Sequence, residues 1–589
     1  MAMALPGFGP RLVARSSSRL VGGTNLAEPK ASAPFWWAHR AAFRPRSPLR
    51  GFAVPLRHPS VRSFAGALLA GAAALPLCAV PHEGAHAGGS LTVAMTAGDI
   101  PVTTGNPDQG FEGYRFVGYN LYDGLMLWDL SKSDKPSEIR PGLATSYEID
   151  PNDSKRWIVH LRHGVKWHDG CAFNADDVVW NFQMRMDQKA ANFSTQQFTY
   201  TRAFLTNVKS VSKIDDYTVA IENNFVESLF PYTLSYVLMI SPCRAKEVNY
   251  DWAQYALRPS GTGPYKYDRF VPHQRLELIA NTEYWDKDRV PKQDRLVLIP
   301  MPEASTRTAA LLTGQVDWIE APAPDAIPRL KSAGMQIVTN VYPHDWPYLL
   351  NFKRGPFTDL RVRQAANYAL NRQDVVDMLG GTAIPEHDVV PPTLAYYGNP
   401  PKYDYDPKKA RALLQEAGCL PCQVTFAIST SGSGQMQPLP MNELVKSQLE
   451  EAGFQVTLQT MDWNALLDVY RAGVDKNPNY DGLNFSRGLL DPVNAIIKLV
   501  GRTYWAPAGS NWGHFESPET EDLIARIFNE FDGEKRLSLL SELHEIEGRQ
   551  AVMIFVVHDL NPRAMSPKVQ GFVQAQSWFQ DLTRVVVTP

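Results

Sequence analysis

The most informative part of this 589-residue chain reads Leu161-Arg-His-Gly-Val-Lys-Trp-His-Asp-Gly-Cys-Ala-Phe-Asn-Ala-Asp-Asp-Val-Val179. Its first residues predict a β-strand, and His168-Asp169-Gly170 predicts a turn. Asn174 predicts a helix N-cap, because its side-chain oxygen can accept a hydrogen bond from the first helical turn. Asp176 and Asp177 in that turn suit the positive end of the helix dipole. The stretch therefore predicts a strand, a turn and a helix in succession.

Strand and helix patterns also alternate in the C-terminal half. Asp406 predicts the start of a helix that ends at Gly418, because Pro follows the cap and Gly stops the apolar stripe. Alternating apolar residues in 424–428 predict a strand, and a second helix ends at Gly453 before a strand at 456–458. This order predicts an α/β domain with parallel strand pairing.

Composition limits the classes of function. A chain of 589 residues, of which 44% are hydrophobic, can bury a large core and is expected to form two or more domains. A net charge of −3 argues against nucleic acid as a partner, because phosphate binding needs an excess of Lys and Arg. The 14 Trp and 23 Tyr are numerous enough for some of them to form an aromatic recognition pocket.

The first 87 residues predict a targeting region. Residues 61–87 contain a basic start, the apolar run Phe64–Leu77 and Ala85-His86-Ala87, which together predict a secretory signal peptide cleaved after Ala87. The apolar run is too short to span a bilayer, so we expect export to the periplasm. Residues 1–60 have two explanations, a start codon placed too far upstream or an organellar transit segment, and the first is favoured.

Four cysteines follow the predicted cleavage site, and export permits them to form disulfides. Cys419 and Cys422 follow a predicted helix rather than starting one, which favours a small disulfide turn over a redox motif. The pairing of the whole set, which includes Cys171 and Cys243, stays open. A zinc site would need a second ligand pair at suitable spacing, and the sequence has none.

The sequence predicts no cofactor, metal ion or catalytic centre. His160 and His163 would face opposite sides of a strand, so they cannot converge on one ion. Gly432-Ser-Gly434 lacks the outer glycine pattern of a nucleophile elbow. We therefore expect a protein that is not an enzyme.

The stretch 161–179 resembles the signature block of the extracellular solute-binding proteins of the peptide/nickel class, family 5, which serve ABC importers. Further segments resemble the same family and follow in its order along the chain. They are Leu121-Tyr-Asp-Gly-Leu125, Pro141-Gly-Leu-Ala144, Gly261-Thr-Gly-Pro-Tyr265, Asn281-Thr-Glu-Tyr-Trp285, Leu312-Thr-Gly-Gln-Val-Asp317 and Pro356-Phe-Thr-Asp-Leu-Arg-Val-Arg-Gln-Ala365.

This resemblance implies an α/β, two-lobed periplasmic-binding-protein clamshell (class II, cluster C-like) with an additional small α+β domain. Ligand would be trapped between the lobes, which would close by a hinge motion. Two strands, near Tyr342–Leu349 and Val552–His558, would form the hinge. The implied boundaries are 88–133, 259–343 and 556–589 for lobe I, 134–258 for the extra domain and 344–555 for lobe II.

The resemblance also implies ligand-contacting positions. Trp463 would form a pocket wall, 109–112 would be a loop that meets the ligand, and 485–488 with Asp491 would hold its polar end. The alternatives are an ordinary core aromatic residue for Trp463 and a plain surface loop for 109–112. The candidate residues are Gln109, Gly110, Phe111, Glu112, Trp463, Phe485, Ser486, Arg487, Gly488 and Asp491.

One departure from the family pattern concerns the ligand. Peptide-binding members keep an Asp at the position of Gly488, where its carboxylate pairs with the free amine of the peptide. Here the carboxylate is missing and Arg487 is adjacent. We therefore expect a protein that is not a standard dipeptide binder and that favours an anionic or hydroxyl-rich ligand. In the alternative, Asp491 takes over the amine-binding role.

The resulting functional prediction is the substrate-binding subunit of an ABC importer. It would capture a peptide or peptide-like solute in the periplasm as a monomer and deliver it to the permease in the inner membrane. An oligosaccharide or a chelated metal is the alternative solute. A secreted hydrolase is the alternative from another class of protein, and turnover of candidate solutes would distinguish it from a binder.

Overall fold

The computed structural model describes residues 89–589, which belong to one compact unit. The predicted leader and signal peptide, residues 1–60 and 61–87, lie outside the described residues. Within 89–589, none of the helices has the length and apolar character that crossing a bilayer requires.

A seven-stranded mixed sheet, here called the first sheet, contains the N-terminal strand of the described region. That strand, Ser90–Met95, pairs in parallel with Arg295–Pro300 and Trp318–Glu320 on its two sides. Leu91, Val93 and Met95 are fully buried, so the strand anchors the core of this part. The order across the sheet is Gln336–Val338, Arg563–Met565, Trp318–Glu320, Ser90–Met95, Arg295–Pro300, Arg275–Ala280 and Tyr265–Val271.

A second sheet is built from the C-terminal half. The predicted parallel pair is confirmed as Cys422–Ser429 beside Phe454–Met461. The order across the sheet is Ala383–Pro385, Met553–Asp559, His344–Leu350, Gly482–Asn484, Cys422–Ser429 and Phe454–Met461, and Arg487–Gly488 pairs with His344–Leu350. Between residues 344 and 559 the chain stays in this part, so it passes between the two sheets at 339–343 and 560–562. The predicted hinge strands are therefore neighbouring strands of the second sheet, directly beside those passages.

A four-stranded antiparallel sheet lies in the inserted part, here called the small domain. Its strands, in spatial order, are Ala144–Asp150, Asp153–Leu161, Thr218–Asn223 and Val208–Asp215. Asn174 caps the helix Ala175–Met186 as predicted, because its side chain accepts from the backbone of Asp176 and Asp177 while Asp177 returns a capping contact. Two further strand pairs are Met126–Trp128 with Ile139–Pro141 and Val569–Gln570 with Val586–Val587.

Helices cover the sheets and join the strands. Pro407–Glu416 begins after Asp406, and Pro438–Ala452 ends at Gly453 in the left-handed conformation, so both predicted helices are confirmed. The other α-helices are Tyr119–Leu121, Thr195–Thr201, Pro242–Glu247, Trp252–Leu257, Ala304–Leu312, Ile327–Ser332, Leu360–Tyr368, Arg372–Met378, Trp463–Ala472, Lys498–Val500, Pro518–Asn529 and Gly533–Arg549. Short 3₁₀ helices are Phe230–Ser235, Lys287–Arg289, Pro324–Ala326, Pro356–Thr358 and Arg502–Tyr504, and π-helical turns are Gly113–Gly118 and Val493–Ile497.

Two disulfides resolve the cysteine pairing that the sequence left open. Cys171 joins Cys243 across 72 residues of the small domain, and Cys419 joins Cys422 directly after the helix Pro407–Glu416. The second bridge forms the small disulfide turn that its position after a helix predicted.

Candidate functional site

A cavity of about 180 Å³ lies where the loop after the first strand, the small domain and the second-sheet part meet. The loop contributes Gly110 and Phe111, and the small domain contributes Thr199, Tyr200 and residues 202–204. The second-sheet part contributes most of the remaining wall, including Trp463 and Phe485. A concave space enclosed by separate parts of a chain is the usual location of a small-molecule site.

Three stacked rings form one wall of the cavity. Trp463 and Tyr470 lie seven residues apart on the helix Trp463–Ala472, and two helical turns place them on the same face. The ring of Phe485 lies between them, with centroid distances of 5.3 Å to Trp463 and 4.1 Å to Tyr470. Offset stacking fixes the planes of these rings, which gives the cavity a rigid apolar surface. Trp463 thus packs in a core cluster and also lines the cavity.

The opposite wall is also aromatic. Phe204 stacks on Tyr236 with a centroid distance of 4.7 Å, and Phe111 lies 6.2 Å from Phe204. The hydroxyl group of Tyr236 donates to the carboxylate of Asp491 at 2.6 Å, which connects the small domain to the second-sheet part beside the cavity.

The loop 109–112 contains both cavity-lining and supporting residues. Gly110 approaches the opposite part so closely that an added Cβ would lie 2.8 Å from Ser433 Cβ and 3.3 Å from Trp463 Cζ2. Gln109 does not line the cavity, because its side-chain amide accepts from the backbone of Gly98 and donates to the carbonyl of Asp99.

Glu112 lies behind the cavity wall. Its carboxylate accepts from Thr96 Oγ1 at 3.0 Å, and it faces Arg115 at 3.9 Å. Burial raises the pKa of Glu112, and the nearby Arg115 charge opposes that rise. The structure therefore separates the four predicted loop residues into Gly110 and Phe111 on the cavity surface and Gln109 and Glu112 behind it.

The segment 485–488 lies on the cavity surface. Ser486 donates to the carbonyl of Ser433 at 2.8 Å. The guanidinium group of Arg487 contacts Asp345 Oδ2 at 3.3 Å and donates to the carbonyl of Ala495 at 2.6 Å. Gly488 faces open space, since an added Cβ would meet only Leu490 Cγ at 4.0 Å.

Asp491 is committed to protein contacts and does not line the cavity. Its buried carboxylate accepts from the backbone N–H groups of Val493 and Asn494, from the side-chain amide of Asn494 and from Tyr236. With these four donors the carboxylate has little capacity left for a ligand amine. The geometry therefore disfavours the alternative in which Asp491 replaces the missing carboxylate at Gly488.

The polar part of the cavity wall is cationic. Four Arg and Lys residues line the cavity, together with His344, and none of the described lining residues is Asp or Glu. Burial lowers the pKa of Lys498, although the charges of Asp491 and Glu227 oppose that shift. The basic residues are Arg202, Arg471, Arg487 and Lys498.

Sequence reasoning missed the small-domain wall and much of the helix Trp463–Ala472. The missed lining residues include Tyr200, Arg202, Phe204, Tyr470, Arg471 and Trp578. The sequence could have predicted Tyr470 and Arg471, because they lie seven and eight residues after Trp463 and so share its face of the helix. Thr199, Tyr200 and residues 202–204 carry no motif, and only the tertiary fold brings them to the cavity.

Comparison with known structures shows the fold. The chain has the fold of a two-lobed periplasmic binding protein, as the resemblance implied. The periplasmic binding protein DppA from Helicobacter pylori in complex with peptide STSA matches with a TM-score of 0.72 and 24% identity, over 85% of this chain and 98% of that one. A dipeptide-binding protein from a Pseudoalteromonas species in complex with Met-Leu matches with a TM-score of 0.73 and 21% identity, over 85% and 100% of the chains.

Sequence comparison establishes the family. The model of bacterial extracellular solute-binding proteins, family 5 Middle, matches residues 138–499. Heme-binding protein A of Haemophilus influenzae is 30% identical over 482 residues, which cover 78% of this chain and 86% of the relative. The dipeptide-binding protein of Escherichia coli is 27% identical over 520 residues, which cover 82% and 95%. The chain belongs to the bacterial extracellular solute-binding proteins of family 5.

Proposed function

We propose that this protein is the solute-binding subunit of an ABC importer and that it captures a peptide or peptide-like solute. The observation that carries the proposal is the cavity, whose aromatic walls come from both sides of the two-lobed fold. Such a site gains ligand affinity from contacts to both lobes, so that binding stabilises the closed arrangement. Relatives named for dipeptides and glutathione support a peptide-like solute.

The cellular part of the proposal follows from this role. The chain would be exported after cleavage behind Ala87, bind its solute in the periplasm as a monomer, and deliver it unchanged to the permease in the inner membrane. Sequencing the N-terminus of the exported protein tests the cleavage site, and a mature chain that still contained residues 1–50 would contradict it.

The decisive experiment is identification of what the protein retains. The mature protein, purified natively, is expected to carry a peptide-like solute that native mass spectrometry detects as a discrete mass increment. After unfolding and refolding to remove this solute, calorimetry with a dipeptide series should show binding with a stoichiometry of one and no turnover. A retained sugar or metal chelate, or hydrolysis of the peptides, would refute the proposal. Trp463→Ala is expected to weaken peptide binding because it removes part of the ring stack.

A further inference from the structure

The four cations on the cavity wall differ in how far the protein itself neutralises them. Arg487 is paired with the buried carboxylate of Asp345 at 3.3 Å. Lys498 donates to Asn494 Oδ1 at 3.0 Å and lies in the field of the buried carboxylates of Asp491 and Glu227. Protein groups that lie outside the cavity surface or beside it therefore already stabilise both of these charges.

The other two cations are neutralised less completely by the protein. The side chain of Arg202 has no hydrogen bond or ion pair with any residue in 89–589, although it is only partly exposed. The partner of Arg471 is Asp468 at 3.4 Å, whose side chain is 81% exposed. An ion pair that exposed contributes little, because water and salt screen it. The charge of Arg471 also acts on the buried carboxyl group of Asp108, but burial raises the pKa of Asp108 to about 7, so this carboxyl group is only partly ionised near neutral pH.

The guanidinium groups of Arg202 and Arg471 reach the cavity from different parts of the fold. Arg202 directly follows the small-domain helix Thr195–Thr201, whereas Arg471 lies in the last turn of Trp463–Ala472. The guanidinium carbon of Arg471 lies 4.9 Å from the ring centroid of Tyr200, two residues before Arg202. Two like charges brought to one cavity repel each other unless an anion lies between them.

On the basis of the proposed function, we propose that the solute is anionic and that Arg202 and Arg471 bind one of its carboxylates. Guanidinium groups suit this role because their N–H donors match the two oxygens of a carboxylate. The apolar part of the solute would lie against the rings of Trp463, Tyr470 and Phe485. A solute with net positive charge would find no carboxylate to pair with, since no described lining residue is acidic.

The test uses dipeptides that differ in charge at nearly constant size. Calorimetry on the mature, ligand-free protein compares Ala-Glu with Ala-Gln and Ala-Lys. We expect Ala-Glu to bind at least tenfold more tightly than Ala-Gln and to be preferred further over Ala-Lys. The ratio of Ala-Glu to Ala-Gln affinity should fall to about one in the double variant Arg202→Gln/Arg471→Gln. Arg329→Gln, at an exposed arginine outside the cavity, is the matched control and should leave the ratio unchanged.

A second variant works in the opposite direction. Gly488→Asp places a carboxylate in open space on the cavity surface and should shift the preference from Ala-Glu towards Ala-Lys.

Thermal unfolding of each variant verifies that it is folded. Equal binding of the three peptides, or a preference for Ala-Lys in the unaltered protein, would overturn this inference and leave the proposed function intact. A preference for Ala-Glu that survives the double variant would overturn the assignment to Arg202 and Arg471. Binding of none of the peptides would instead count against the proposed function itself.

Discussion

Gly110→Ala is expected to weaken ligand binding by obstructing closure. Gly110 follows the first strand of the first sheet, and its nearest neighbours across the cavity are Ser433 and Trp463 of the second-sheet part. An added methyl carbon would lie 2.8 Å from Ser433 Cβ, 3.2 Å from Ser433 Oγ and 3.3 Å from Trp463 Cζ2. Because these contacts connect the two lobes, the overlap exists only in the closed arrangement.

The size of the effect follows from the overlap. Carbon atoms in contact normally lie about 3.5–4.0 Å apart, so the lobes or the side chains must move by roughly 0.7 Å or more. Overpacking of this kind costs about 1–3 kcal/mol. If the cost falls on the closed, liganded form alone, the dissociation constant rises by about 5- to 160-fold.

The φ angle of +78° at Gly110 adds a second cost, which a matched control removes. An L-residue in the left-handed region is destabilised by about 1–2 kcal/mol, in the open and closed forms alike. Gly314 has a φ of +72° and no heavy atom within 4 Å of the added carbon, so Gly314→Ala carries the backbone strain without the overlap.

Calorimetry with the solute identified from the native protein compares both variants, and solution scattering with and without that solute reports closure. Gly110→Ala should bind more weakly and contract less, whereas Gly314→Ala should behave as the unaltered protein. Equal affinities for the two variants would refute the reasoning that Gly110 is a closing contact.

Three further outcomes are expected. Replacing Cys171 and Cys243 with Ser should lower the free energy of unfolding by about 4 kcal/mol, since the bridge closes a loop of 72 residues, whereas removing the disulfide that spans three residues should cost less than about 2 kcal/mol. Tyr236→Phe should weaken solute affinity, measured by calorimetry, by about 10- to 160-fold, because a hydrogen bond to a carboxylate contributes roughly 1.5–3 kcal/mol. Asp108→Asn should make stability less dependent on pH between 4 and 8, measured by urea unfolding.

The sign of the pH effect follows from burial. Desolvation raises the pKa of Asp108 from its ordinary value of 3.8 to about 7. The folded protein therefore binds a proton more tightly than the unfolded chain, so this group's contribution to stability is complete below pH 3.8 and is lost as pH rises through 7. Relative to the unaltered protein, Asp108→Asn should gain stability from pH 5 to pH 8. A constant difference would contradict this assignment.

Equally specific results would contradict the other two expectations. Thermal unfolding that shifts by the same amount on loss of either disulfide would show that loop length does not control their contributions. Unchanged affinity in Tyr236→Phe, with unchanged scattering, would show that its hydrogen bond to Asp491 is not part of the closed form.

Local patterns in the sequence were enough to predict most of the regular structure. Asn174 has few alternatives to an N-cap once Asp177 stands three residues later, and both contacts form. The alternation in 424–428 predicts a strand whatever lies beside it. These predictions succeeded because helix capping and the alternation of apolar residues along a strand depend only on residues close together in the sequence.

The cavity was less predictable because its charges come from positions far apart in the sequence. Arg202 and Arg471 are separated by the rest of the small domain, the first-sheet segment 259–343 and more than half of the second-sheet part, and neither lies in a motif. Glu112 and Asp491 were placed in the site through the resemblance, yet both carboxylates are committed to protein donors. A family pattern locates a segment at the cavity, but the direction of each side chain depends on partners that the segment itself does not contain.

The commitment of Asp491 to Tyr236 changes how ligand and closure are coupled. A carboxylate that pairs with a ligand amine contributes free energy only when the ligand is present. A carboxylate that accepts from Tyr236, between the small domain and the second-sheet part, contributes to the closed form whether or not a ligand is bound. Because a ligand shifts an equilibrium only by its differential affinity for the two forms, this hydrogen bond lowers the free energy that the solute must supply. Loss of the Tyr236 hydroxyl should therefore reduce the affinity for every solute by the same factor, whereas loss of Arg202 or Arg471 should reduce it for anionic solutes alone.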